Sequence, residues 1–148
     1  MNMIAAWALA ATVMAAGGDI TEAIRKDKAA LQGTWKVTAS ASKGENVPAD
    51  DLKDLFLIFR ADAIHIREGG KTMENFTFLL DPTKKIKEID LTLRVGPQKG
   101  RVDRGIYQLD GDTLKICIQT NKDADRPREF VSRPNTELWL IVLQRTKE

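Results

Sequence analysis

Residues 101–119 read RVDRGIYQLDGDTLKICIQ, and their pattern decides the fold. Two runs, Arg101 to Leu109 and Asp112 to Gln119, flank Asp110-Gly111, a dipeptide that strongly signals a tight β-hairpin. On the second run Leu114, Ile116 and Ile118 alternate with Lys115, Cys117 and Gln119, the period of two that a half-buried strand requires. The register stays open here. A two-residue turn at Asp110-Gly111 sets Tyr107 opposite Leu114, and a three-residue loop with a glycine bulge sets Ile106 there.

The same alternation extends outward in both directions. Trp35, Val37 and Ala39 alternate with Lys36, Thr38 and Ser40. Leu55 to Arg60 is a dense apolar run, and Ala61-Asp62 turns it into Ile64-His65-Ile66-Arg67. After Gly69-Gly70, Phe76, Phe78 and Leu80 share a face. After the turn Asp81–Lys85, so do Ile89, Leu91, Leu93 and Val95. The loop Gly96–Gly100 leads into the hairpin, and Leu138 to Arg145 closes the series. Strands are thus predicted at 33–40, 54–60, 63–68, 72–80, 87–95, 101–109, 112–119 and 137–146. The links are mostly short and no strand–helix–strand unit occurs. These features predict an all-β fold, an eight-stranded antiparallel up-and-down barrel, which leaves no exposed sheet edge. One helix is predicted over Asp19–Gln32, with Ile20, Ala23, Ile24 and Leu31 along one face and Gly33 ending it. Val47–Leu52 reads as a single helical turn with Pro48 near its start.

Composition narrows the function. A chain of 148 residues fits one domain and can bury roughly two thirds of its unfolded surface without a staple. One cysteine, Cys117, excludes a disulfide framework within the monomer, and one histidine, His65, excludes multi-histidine metal sites. The formal charge of +2 is too balanced for a dedicated nucleic-acid binder. No apolar run reaches the roughly 18–20 residues of a membrane span. Residues 1–16 carry no charged side chain. Ile4 to Ala16 has the length of a signal-peptide h-region, with small residues placed for cleavage near Ala16 or Gly17. The expected organisation is therefore a signal peptide at 1–16, a helix at 17–32 and a barrel at 33–148, in a secreted or periplasmic protein.

Gly33-Thr34-Trp35 opens the first strand and Arg145 closes the last. This resembles the lipocalin G-x-W signature with its late basic partner. The resemblance implies that Gly33, Trp35 and Arg145 form a structural signature, with the Trp plugging one barrel end and the Arg packed on its ring. A more detailed resemblance covers about residues 31–145. It rests on Leu31–Trp35, Asp81–Lys85 with Ile89-Asp90-Leu91, Gly96-Pro97 with Lys99-Gly100, Gly105-Ile106-Tyr107, Leu109–Lys115, and Arg126-Pro127 with Glu129-Phe130. This series is similar to a family of small lipocalin-like domains abundant in planctomycete bacteria, often exported, which brings no catalytic or binding residues to carry over. The present chain is shorter than typical lipocalins and has its helix before the barrel.

No residue pattern points to catalysis. Ser40, Ser42 and Ser132 have only His65 as a conceivable base, and no G-x-S-x-G elbow occurs. The scattered carboxylates leave an acid/base pair assembled in space open. Asp110-Gly111-Asp112 lacks the remaining ligands of a calcium loop and reads as a turn. Neither metal nor cofactor is expected. An eight-stranded barrel either fills its interior or holds one small ligand. Bulky residues favour the filled interior and a non-enzymatic protein-interaction or structural module. The alternative is a carrier of a small apolar ligand lined by Phe76, Phe78, Tyr107 and Trp139. The last strand is apolar on both faces, so something must cover its outside: first the helix, then the loop Asn121–Thr136, then a partner subunit in a homodimer with Cys117 near the contact. Any pocket is expected opposite Trp35, beneath the loops around Val47–Leu52 and Asn121–Thr136.

Overall fold

The computed structural model describes residues 15–147; the expected signal peptide lies, over residues 1–14, outside the described residues. The chain runs α1 (Ala15–Leu31), β1 (Gly33–Ser42), β2 (Glu45–Asn46), α2 (Ala49–Leu52), β3 (Leu55–Arg60), β4 (Ala63–Glu68), β5 (Lys71–Asp81), β6 (Glu88–Leu93), β7 (Val102–Asp110), β8 (Thr113–Gln119) and β9 (Leu138–Arg145). Every long strand begins and ends within two residues of its predicted bounds. All neighbours pair antiparallel in the order β1-β3-β4-β5-β6-β7-β8-β9, and β1 also pairs with β9, so eight strands close into a barrel. The two-residue β2 is a spur on β1.

Closure rests on β1. Its first residues, 33–36, pair with β3, while 35–42 pair with β9, and the register shifts between Val37 and Ala39. A bulge of this kind bends a strand sharply enough to serve two neighbours. The β7–β8 register differs from both expectations: Asp110 pairs with Thr113 and Tyr107 faces Ile116. Gly111 takes the first central position of the turn with φ +58°, so the glycine sits where a left-handed residue is needed and Asp110 stays in the ladder.

One end of the barrel is stoppered. Trp35 is fully buried, and its indole N–H donates to the Leu31 carbonyl at 2.8 Å. The Arg145 guanidinium carbon lies 4.2 Å from the Trp35 ring centroid, a cation–π stack. The same guanidinium donates to the carbonyls of Ala30 and of Gln32, the latter at 2.7 Å, and so satisfies the free end of α1. Phe59 and Phe78 meet edge-to-face at 5.5 Å and 71° just inside.

The helix does not cover β9. It lies across the stoppered end and is held by polar ties. Asp27 is buried, and its Oδ2 accepts from the Tyr107 hydroxyl at 2.7 Å and from Lys87 Nζ at 2.8 Å. Lys28 pairs with Asp62, and Ile20 stays exposed. The outer cover of β7–β9 is instead the loop between β8 and β9. On the outer face Ile106 pairs with Cys117, which pairs with Leu140. Ile106 and Cys117 are buried yet stand outside the interior cluster. The Cys117 thiol donates to the Val131 carbonyl at 3.4 Å. Arg104 Nη2 donates to the carbonyls of Lys122 and Ala124 at 3.0 and 2.7 Å. Arg126 Nη1 donates to the carbonyls of Gly105 and Ile89 at 2.8 and 3.3 Å. It also lies 2.8 Å from Asp90 Oδ1, an ion pair without a hydrogen bond along it because the N–H groups are aimed at the carbonyls. Close approach of β7 to β8 requires Gly105, where a Cβ would fall 2.6 Å from the Cys117 carbonyl oxygen.

Two outcomes follow from the stoppered end. Trp35→Ala should cost about 3–5 kcal/mol, the usual range for truncating a buried aromatic, read as a shift in the denaturant midpoint; a loss below about 1 kcal/mol would show that the ring does not anchor the barrel. Burial, reinforced by the Asp27 carboxylate, holds the Tyr107 phenol well above its ordinary value of 10.0. A raised folded value means the fold keeps a proton that the unfolded chain releases. This contribution to stability is therefore complete below about pH 10 and declines above it. Tyr107 is the sole tyrosine, so phenolate absorbance reports on it alone. The folded protein should show none at about pH 11, one unit above the ordinary value, whereas the denatured chain should be ionised; a folded-state midpoint near 10 would contradict the buried contact.

Candidate functional site

Inward-facing side chains divide along the barrel axis. Trp35, Phe59, Phe78, Tyr107, Leu114 and Leu143 fill the stoppered half, joined by Leu31 from α1. The opposite half is hollow. A cavity of about 420 Å³ opens there, and every one of the eight barrel strands contributes to its wall. Val37, Leu57, Ile64, Phe76, Leu91, Ile116 and Ile141 make the deeper wall apolar, and Ser40, Glu74, Arg101, Asp103 and Thr120 supply its polar groups. Its volume lies within the roughly 300–1,000 Å³ usual for small-molecule sites.

The division arises because each strand spans both halves. Phe76 and Phe78 share a face of β5, but only Phe76 reaches the cavity. Phe78 stacks on Phe59 in the packed half. Tyr107 lies beneath α1 with its hydroxyl bound to Asp27. Of the four expected lining residues, therefore, Phe76 and Trp139 line the cavity and Phe78 and Tyr107 do not. Trp139 is 41% exposed. The expected loops do not line it either. The segment 121–136 is tied to the outer wall, and Leu52 of α2 packs into the interior cluster.

The charged groups on the cavity wall are arranged unequally. Arg101 grips Asp103 with two hydrogen bonds, Nε to Oδ1 at 2.8 Å and Nη2 to Oδ2 at 2.9 Å, the bidentate geometry that suits this pair. Its Nη1 binds Gln98. The Asp103 side chain is 3% exposed, so its charge depends on this partner. Glu74 is exposed and has no ion pair or hydrogen bond to another described residue.

Other reactive groups lie away from the cavity. His65 faces outward, its Nδ1 2.5 Å from the Asn75 side-chain oxygen. Cys117 is sealed under the loop, where burial pushes the thiol pKa up and disfavours the nucleophilic thiolate. No group of three or more metal-ligating side chains occurs among the described residues, and no described helix is long and apolar enough to cross a membrane. Two further hollows flank Lys85-Ile86 on the outer surface, one of mixed charge with Lys84, Glu88, Asp125, Arg126 and Arg128, the other beside Lys87, Leu109 and Phe130. The sequence missed Asp27, although it falls on the stripe of Ala23, Ile24 and Leu31 at helical spacing. It also missed Glu74 and the Arg101–Asp103 pair, which occupy inward positions in strands read for their apolar residues. Compared with protein families, curated proteins and solved structures, the chain finds no match.

Proposed function

We propose that this barrel is a non-enzymatic binding domain that holds one small, largely apolar ligand in its hollow half. The observation that carries this reading is the cavity of about 420 Å³ walled by apolar side chains from all eight strands. A filled interior would have favoured an interaction module, and only half of this interior is filled. The packed half gives rigidity, so the hollow half is preformed and little ordering opposes binding. The apolar segment Ile4–Ala16 and the resemblance to exported lipocalin-like domains support action outside the cytoplasm.

A homologous series of linear alcohols tests the reading. Each buried CH₂ contributes about 0.8 kcal/mol, so affinity should rise roughly fourfold per added methylene until the hollow is full, and then level off. Ile116→Trp places a large ring in the space and should abolish saturable binding while leaving the circular dichroism of the barrel unchanged. Absence of saturable binding across the series, or equal binding by the Trp variant, would overturn the reading and return the protein to the class of interaction modules.

A further inference from the structure

We infer that the ligand carries a cationic amine at its polar end, seated against Glu74, and that the site discriminates against carboxylates. This rests on the proposed use of the cavity and adds the chemistry of the head group. Glu74 occupies an inward position of β5 in line with Phe76, Phe78 and Leu80, where the strand otherwise presents only apolar side chains to the interior. It pairs with Ile66, which also lines the cavity. The register shifts immediately after this pair, Arg67 facing Thr72, so Met73 is the extra residue of a bulge. Glu74 is thus the outermost inward side chain before the strand changes face, which sets its carboxylate at the end of an apolar wall.

The neighbouring charges decide the sign. The cavity wall holds one cation, Arg101, and two carboxylates, Glu74 and Asp103. Arg101 is already committed to Asp103 through both oxygens. A ligand carboxylate seeking Arg101 would have to compete with a buried partner whose charge would then be stranded. A ligand ammonium meets a carboxylate that no described residue neutralises, at the edge of a low-dielectric wall where attraction exceeds its value in water. The chemistry that fits is an alkyl or arylalkyl amine, with its apolar body toward Ile64, Ile116 and Ile141 and its ammonium at Glu74.

The test compares decylamine, decanol and decanoate by calorimetry at neutral pH and low salt, using the full chain and its Glu74→Gln variant. Expected is decylamine binding at least tenfold tighter than decanol, with decanoate weaker than decanol. In Glu74→Gln, the preference for decylamine over decanol should disappear. The thermal midpoint of the variant should match that of the parent, since Glu74 is exposed and unpaired among the described residues. Decanol bound without a preference for the amine, decanoate bound most tightly, or an amine preference that survives Glu74→Gln would each overturn the inference while leaving the cavity reading intact. Failure of decanol to bind would overturn the cavity reading and this inference with it.

Discussion

Trp35 pairs with Arg145 across the seam where the first strand meets the last, and the side chains stack there as well. An open sheet of eight strands would leave two rows of unpaired backbone groups, a template for association with other chains. Closing it removes both rows but forces β1 to serve two neighbours. The bulge near Thr38 supplies the necessary bend, and the Thr38 hydroxyl donates to the Val142 carbonyl at 3.2 Å beside it. Arg145 then links three things at once: the ring of Trp35, the last carbonyls of α1 and, at 3.3 Å, Asp112 of the β7–β8 turn. The stopper is therefore a polar clasp around a buried aromatic.

With one end fixed in this way, the interior can be uneven. Trp35, Phe59, Phe78 and Tyr107 crowd toward the clasp, and mainly aliphatic side chains, with Phe76 and Trp139, line the other half. The outer wall has its own reinforcement. Arg104 and Arg126 capture four backbone carbonyls between them, holding the long β8–β9 loop against the sheet and sealing Ile106 and Cys117 beneath it. That arrangement explains how β9 is apolar on both faces without a partner subunit being required on that side. The loop also reaches the β1–β2 turn, where the Gly44 N–H donates to Ser132 Oγ at 2.8 Å, while the polar groups of the cavity wall come from strands and strand ends.

Much of this architecture was legible in the sequence because strand alternation is a local signal. Phe76, Phe78 and Leu80, or Leu114, Ile116 and Ile118, announce one buried face without reference to anything distant. The resemblance carried by Gly33, Trp35 and Arg145 likewise implied the closed end. Position along the barrel axis was not legible, because it depends on the register of all eight strands together. Phe76 and Phe78 look equivalent in sequence and end in different halves. The hairpin shows how fine this dependence is: moving Gly111 to the first turn position changes every partner in β7 and β8. The cover of β9 was legible as a need and not as an answer, since an apolar outer face does not specify what lies on it. The polar groups of the cavity wall were obscured for a related reason. Glu74 and Asp103 carry no apolar signal of their own, and only closure of the barrel brings their positions to one interior.

The central claim is that the barrel is packed at the Trp35 end and hollow at the other. Xenon occupies empty apolar cavities in protein interiors, so diffraction from crystals pressurised with the gas tests the claim directly. The account predicts xenon between Ile64, Ile116 and Ile141, and none around Trp35, Phe59 and Phe78. An interior without xenon and with side chains meeting across that space, or xenon seated against Trp35, would contradict it.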